Sequence, residues 1–276
     1  NVGVNTIDKF SFTSNGNATD HGDLSVARTF VSGLSSTTHG FTMGGRPNGS
    51  PAFTNIIDKF AFSSNVTATD HGDMTAATRS RGSSADKTNG YSFGGGVGSS
   101  LSTTYVTTID TFAYSSNVTA ASHGNLNTPG RVNLGGHSSS THGFATGGSA
   151  APAYDNIDKF AFSSNVTATD HGNLSVIKEY HGATSSLTEG FVAGGSGNTT
   201  LVENFSYSSN AGASSHTTLS SGRTGGTGHS STTNGYTSGG NAVSNVIDKF
   251  SFTATDSASD VGDLLVARGY CGGHQF

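Results

Sequence analysis

Apolar residues in this chain come in short alternating bursts. Ile7-Asp8-Lys9-Phe10-Ser11-Phe12 sets the pattern: Phe10 and Phe12 stand two apart, so in an extended strand they point to one face. The burst returns as Ile57 to Phe62, Ile109 to Tyr114, Ile157 to Phe162, in weaker form as Val202 to Tyr207, and as Ile247 to Phe252. Its acidic position falls at 8, 58, 110, 158, 203 and 248, giving spacings of 50, 52, 48, 45 and 45 residues. No window of ten or more residues carries apolar side chains at i, i+3, i+4 and i+7, so almost no helix is expected. Repeats of this length belong to propeller blades or solenoid coils.

The rest of each repeat is equally regular. After Ile57 to Phe62 come a turn at Ser63-Ser64-Asn65, a short β-branched stretch from Val66, then Asp70-His71-Gly72-Asp73, a small-residue strand through Ser83-Ser84, and Asn89-Gly90-Tyr91-Ser92-Phe93-Gly94-Gly95. Four strand-like stretches per repeat, separated by Gly, Asn, Ser and Asp, predict a four-stranded blade. The paired glycines at 44–45, 94–95, 147–148, 194–195 and 239–240 mark where the second strand turns or approaches a neighbour closely.

A strand ending in Gly-Gly, a following strand with an aromatic beside an Asp, a short outer strand and a cation opening the next inner strand together resemble the kelch repeat of β-propellers. The resemblance covers nearly the whole chain. It departs from kelch in lacking Trp everywhere and in replacing Tyr-Asp by Asp-Lys-Phe. The Ser-, Thr-, Asn- and Gly-rich texture is also similar to repeats in phage tail and fibre proteins. These resemblances imply a single all-β domain over residues 1–276: a β-propeller of six four-stranded blades, each running from inner strand A to outer strand D, with about 45–52 residues per repeat. Five blades assemble in full. The sixth takes strands C and D from the N-terminus, Ile7 to Asp23, and closes with the tail Arg268 to Phe276. The residues left for it fall short of a repeat, so one strand is missing, and a three-stranded closing blade, a shortened chain and a strand donated by a partner chain all fit. Arg268-Gly269-Tyr270-Cys271-Gly272-Gly273 reads either as strand A with B absent or as strand B with A deleted.

Composition narrows the function. With 13 Lys and Arg against 18 Asp and Glu, a net charge of −5, the chain has no basic stripe for nucleic acid. No apolar run approaches the ~20 residues that cross a bilayer, so no membrane insertion is expected. The single Cys271 excludes an internal disulfide and a Cys-rich zinc site. The chain begins at Asn1 with no secretory leader, as a processed product or part of something longer would.

The candidate chemistry is mostly repeated. His21, His71, His123, His171 and His216 occupy one place in five repeats, on separate blades, too far apart to share a metal. Asp20 with Asp23, and Asp70 with Asp73, could form calcium loops, although Asn125, Asn173 and Thr218 break that pattern elsewhere. No cofactor is expected apart from that calcium alternative. Arg28, Arg79, Arg131, Lys178, Arg223 and Arg268 recur once per blade. They would either line an anion-attracting mouth or pair with carboxylates such as Asp23, Asp73 or Asp263. Four Asn-x-Thr sequons, from Asn17, Asn65, Asn117 and Asn165, fall in C–D turns.

A catalytic site on a symmetric scaffold needs one non-repeated polar cluster, and none stands out. The longest departures from the repeat, Arg46 to Thr54, Val97 to Thr107 and Ser149 to Asn156, all follow Gly-Gly on one edge of their blades. Their aromatics Phe53, Tyr105 and Tyr154 join Arg28, Arg79, Arg131, Arg223 and Arg268 as candidate ligand contacts. The expected function is a non-enzymatic structural or recognition module, virion- or surface-associated, binding host glycans or other proteins of a larger assembly. A multivalent lectin is the alternative and an enzyme on a kelch propeller a third reading.

Overall fold

Residues 3–240 and 244–274 are described in the computed structural model, and they contain strands and turns with no helix. Five of the six Ile-Asp-Lys-Phe bursts form a strand buried on both sides, with Ile57, Asp58 and Phe60 of Thr54–Ala61 all enclosed. Blade one is Ser32–Ser35, His39–Met43, Thr54–Ala61 and Thr69–Arg79. Blade two is Gly82–Ala85, Asn89–Phe93, Thr108–Ala113 and Ala121–Asn125. Blade three is Gly135–Ser138, His142–Thr146, Asn156–Ala161 and Thr169–Asn173. Blade four is Gly182–Ser185, Glu189–Ala193, Leu201–Ser206 and Ser214–Thr218. Blade five is Thr227–Ser230, Asn234–Ser238, Val246–Ser251 and Ser259–Asp263. All are antiparallel and ordered A, B, C, D, so the chain is a six-bladed β-propeller.

The core lies between blades. The strand-B aromatic of one blade stacks on the second aromatic of the next blade's C strand: Phe41 on Tyr114 at 4.9 Å, Phe144 on Tyr207 at 4.6 Å, Tyr236 on Phe12 at 4.7 Å. The two-apart aromatics thus fill the inter-blade space, as their spacing predicts. Strand B can lie this close because its second residue is glycine. A Cβ on Gly143 would stand 2.3 Å from the Phe160 ring.

Blade six settles the ambiguity of the tail. Its outer strands are Val4–Lys9 and Thr19–Thr29, and residues 271–274 occupy the inner position. His229 of blade five donates through Nδ1 to the carbonyl of His274 at 2.9 Å, as His137 of blade three does to Thr184 on the next inner strand. The tail is therefore strand A, and no segment of the described residues fills position B. Residues 275 and 276 lie outside the described residues. Lacking a strand B to pair with, the tail forms no ladder.

Six backbone hydrogen bonds close the ring. Just before each inner strand one amide donates to the equivalent carbonyl of the preceding blade: Ser80 to Phe30, Asn133 to Ser80, Tyr180 to Asn133, Gly225 to Tyr180, Tyr270 to Gly225 and Phe30 to Tyr270, at 2.7–3.2 Å. All six residues have positive φ, between 55° and 72°.

Candidate functional site

The repeated cations are internal. Arg28 pairs with Asp58, Arg131 with Asp158, Lys178 with Glu203 and Arg223 with Asp248, all with side chains at most 1% exposed. Their partners are the acids of the Ile-Asp-Lys-Phe strand, not Asp23, Asp73 or Asp263. The cation does not open the inner strand: it ends the outer strand or lies in the crossover beyond it, from where the side chain passes beneath strand B to the carboxylate. Burial lowers the guanidinium pKa of Arg28, Arg131 and Arg223, and the facing carboxylate raises it again. With their charges enclosed, these groups line no anion-attracting mouth.

Blade two breaks the register. Arg81, not Arg79, pairs with Asp110 at 2.8 Å. Thr78 stands where Arg28 does and Ser80 where Phe30 does, because Ser80 takes the positive-φ place in the ring. Arg79 is thereby free of the carboxylate. Its guanidinium lies over Phe30 and Phe53, at 5.3 and 5.4 Å from the ring centroids, and its buried Nε has no hydrogen-bond partner.

The other repeated polar residues tie blades together. His21, His71, His123, His171 and His216 each hold, through Nε2, a carbonyl of the next blade's C strand at 2.8–3.0 Å. The sequon amides of Asn65, Asn117 and Asn165 donate to carbonyls of the preceding blade's outer strand. Asp20 and Asp70 accept the amides of Gly22 and Gly72, two residues on. Among the described residues no group of three or more His, Cys, Asp or Glu could hold a metal ion. The Cys271 thiol, pushed up to about 11 by burial, is protonated at neutral pH.

What remains is one face of the propeller, bearing the B–C connections. There the three insertions adjoin. Arg46–Pro47 adds to the outer strand of blade six, and the hairpin Gly96–Ser99 with Ser102–Tyr105 adds to that of blade one. The first two insertions meet at the Ala52–Ser99 bridge and where Ser100 donates to Pro51. Gly130 lies against the Tyr105 backbone, and Val132 bridges to Ser149 of the third insertion. The result is a ledge that runs beside the axial mouth. Phe30, Tyr180 and Tyr270 stand at the mouth, with Tyr270 5.3 Å from Phe30 and 5.1 Å from Tyr180. Asn133 and Ser149 donate to Glu179 there.

Of the predicted contacts, Tyr105 is exposed, Tyr154 half-buried and Phe53 buried under Arg79. Phe30, Tyr180 and Tyr270 escaped sequence reasoning because their place is shared with Ser80, Asn133 and Gly225, so no side-chain type marks it. No family model matches the chain, and no curated protein matches it. Among the described residues no helix is long and apolar enough to cross a membrane.

Proposed function

We propose that the chain is a non-enzymatic recognition and structural module, built from kelch-like repeats of the kind found in phage tail and fibre proteins and carried on a virion or another exposed surface. Its contact surface is the ledge and axial mouth, and its partner a surface glycan or a protein of the larger assembly. One observation carries this reading: three successive insertions adjoin on one face, beside Arg79 between two aromatic rings, while most repeated polar groups are consumed inside the ring. Aromatic faces with a cation held over them, next to exposed loops, suit planar or polyhydroxylated ligands better than bond-breaking chemistry.

A glycan-array screen of the purified chain, with and without calcium, tests it. Binding to one sugar family that Tyr105→Ala or Arg79→Ala weakens at least about tenfold, at one site per chain, supports the ledge. Several sites per chain would instead favour a multivalent lectin with equivalent pockets between blades. Calcium-dependent binding would point to the Asp20 and Asp70 loops. Silence on the array moves the partner to protein.

A further inference from the structure

Blades one to five show what fills a second-strand position. Each holds a polar residue, Gly, an aromatic, two further residues and Gly-Gly, from His39-Gly40-Phe41 in blade one to Asn234-Gly235-Tyr236 in blade five. The glycine sits under the C-strand phenylalanine, where an added Cβ would stand 2.3–2.6 Å from a ring carbon in all five. The aromatic packs on the outer-strand His where one is present and on the next blade, as Phe41 does on His71 at 5.0 Å and Phe112 at 5.5 Å. The carbonyls that follow accept from the buried cation: Arg28 donates to Thr42 and Gly44, Arg131 to Ala145 and Gly147, Arg223 to Thr237 and Gly239.

Blade six keeps the receptor for such a strand. Val4–Lys9 is hydrogen-bonded to Thr19–Thr29 along one edge and stands at the end of its sheet. Ile7, Asp8 and Phe10 are only half-buried, whereas the equivalent Ile57, Asp58 and Phe60 are enclosed. The Arg268 side chain is 14% exposed, against 2% or less for its equivalents, and donates to Asp8, Thr6 and its own neighbour Val266. Between this strand and the tail lies a groove of about 880 Å³, bounded by Phe10, His21, Phe60, His229 and His274.

We propose that this groove receives an extended polypeptide segment reading polar-Gly-aromatic-x-x-Gly-Gly, which completes blade six by strand addition. The register follows from blade one, where Gly40 faces Phe60, Phe41 faces Lys59 and Thr42 faces Asp58. In blade six the incoming glycine lies opposite Phe10, the aromatic opposite Lys9 and the next residue opposite Asp8. The aromatic ring then meets His21 and Phe60, and Arg268 receives the carbonyl acceptors that its equivalents have. All five segments of this type within the chain are seated in their own blades, so the occupant comes from outside residues 1–276. Backbone pairing supplies affinity, and the glycine and aromatic pockets supply specificity. The groove adjoins the ledge and the axial mouth at Thr29 and Tyr270, but its register rests on the blade pattern alone, and this inference does not depend on the ledge's partner.

The test uses a synthetic peptide with the sequence of residues 138–149, titrated into the intact chain by calorimetry, with hydrogen exchange read at the amides of residues 7–10. Saturable one-to-one binding is expected, with those amides slowed roughly tenfold or more. Peptides carrying Gly143→Val, which would strike Phe10, or Phe144→Ala, which empties the aromatic pocket, should bind at least about tenfold more weakly. Because these changes are in the peptide, the fold of the chain is untouched. The proposal fails if the native peptide does not bind at about 1 mM, or if the Gly143→Val peptide binds as well. It fails equally if the chain dimerises through this edge and the peptide leaves the dimer intact.

Discussion

A guanidinium enclosed with a single carboxylate is tolerated only while both are present. In blade three Arg131 and Asp158 are 3.1 Å apart and excluded from water, and Arg131 also donates to the carbonyl of Gly147 at 2.6 Å. Asp158→Ala leaves the cation with carbonyl dipoles alone and should cost about 3–5 kcal/mol in urea unfolding. Replacing both, Arg131→Met with Asp158→Leu, removes the stranded charge and should cost clearly less than the single change; an equal or larger loss would show that the pair stabilises in its own right. The imidazoles near the axis behave differently, because they are buried neutral. Burial lowers His137 and His274 to about 4, His181 well below 6.5, and His229 in the same direction. Once unfolded these rings take up protons near pH 6.5, while folded they do not. The unfolded state therefore binds more protons between pH 6.5 and about 4, so their contribution, complete above pH 6.5, is lost as pH falls through that window. Asp8, raised by burial, opposes the trend but is one group. The urea midpoint should drop steadily from pH 7 to pH 4, by several kcal/mol of unfolding free energy in all; a flat profile would mean these rings are hydrated in solution.

At the scale of the strand, stability turns on how closely B and C approach. Gly143→Ala puts a methyl at 2.3 Å from the Phe160 ring, which must shift between two blades, so a loss of about 1–3 kcal/mol is expected in thermal or urea unfolding. Gly16→Ala is the control: nothing lies within 4 Å of its would-be Cβ, and a change within about 0.5 kcal/mol is expected. These strands were legible in the sequence because side-chain chemistry defines them, with Phe60 and Phe62 two apart and Gly-Gly closing strand B. The ion pairs were legible only in part. A cation per repeat was visible, but Thr78-Arg79-Ser80-Arg81 offers two, and choosing Arg81 requires knowing that Ser80 occupies the ring. Nor does chain proximity identify the partner, since Asp158 lies 27 residues beyond Arg131 and meets it across the sheet. The histidine and asparagine ties between blades were hidden for the same reason, their acceptors being backbone carbonyls about one repeat away.

For the whole molecule the question is closure, and here sequence and structure part over the backbone. The residues that link the six inner strands are Phe30, Ser80, Asn133, Tyr180, Gly225 and Tyr270, which share a positive φ and no side-chain chemistry. A repeat search finds what is repeated in side chains, so this ring leaves no trace in the sequence except where Lys178-Glu179-Tyr180-His181-Gly182 matches Arg268-Gly269-Tyr270-Cys271-Gly272. That match is the signal that could have placed the tail as strand A. The tail carries two of the six ring bonds, accepting from Phe30 and donating to Gly225, and its inner segment packs Gly273 against the backbone of Gly228 and Gly33 against that of Gly273. Deleting residues 270–276 therefore breaks the ring and uncovers the inner strands of blades one and five, both edges open to pairing with other chains. Replacing the exposed tip at residues 98–103 by two glycines shortens the chain elsewhere without touching the ring. The truncated chain should lose at least about 10 °C in melting temperature and form concentration-dependent oligomers in size-exclusion light scattering, while the tip variant should remain monomeric and melt within about 3 °C of the parent. If both variants melt alike, the six-bond ring is not what holds the propeller closed, and the inter-blade aromatic stacking alone suffices.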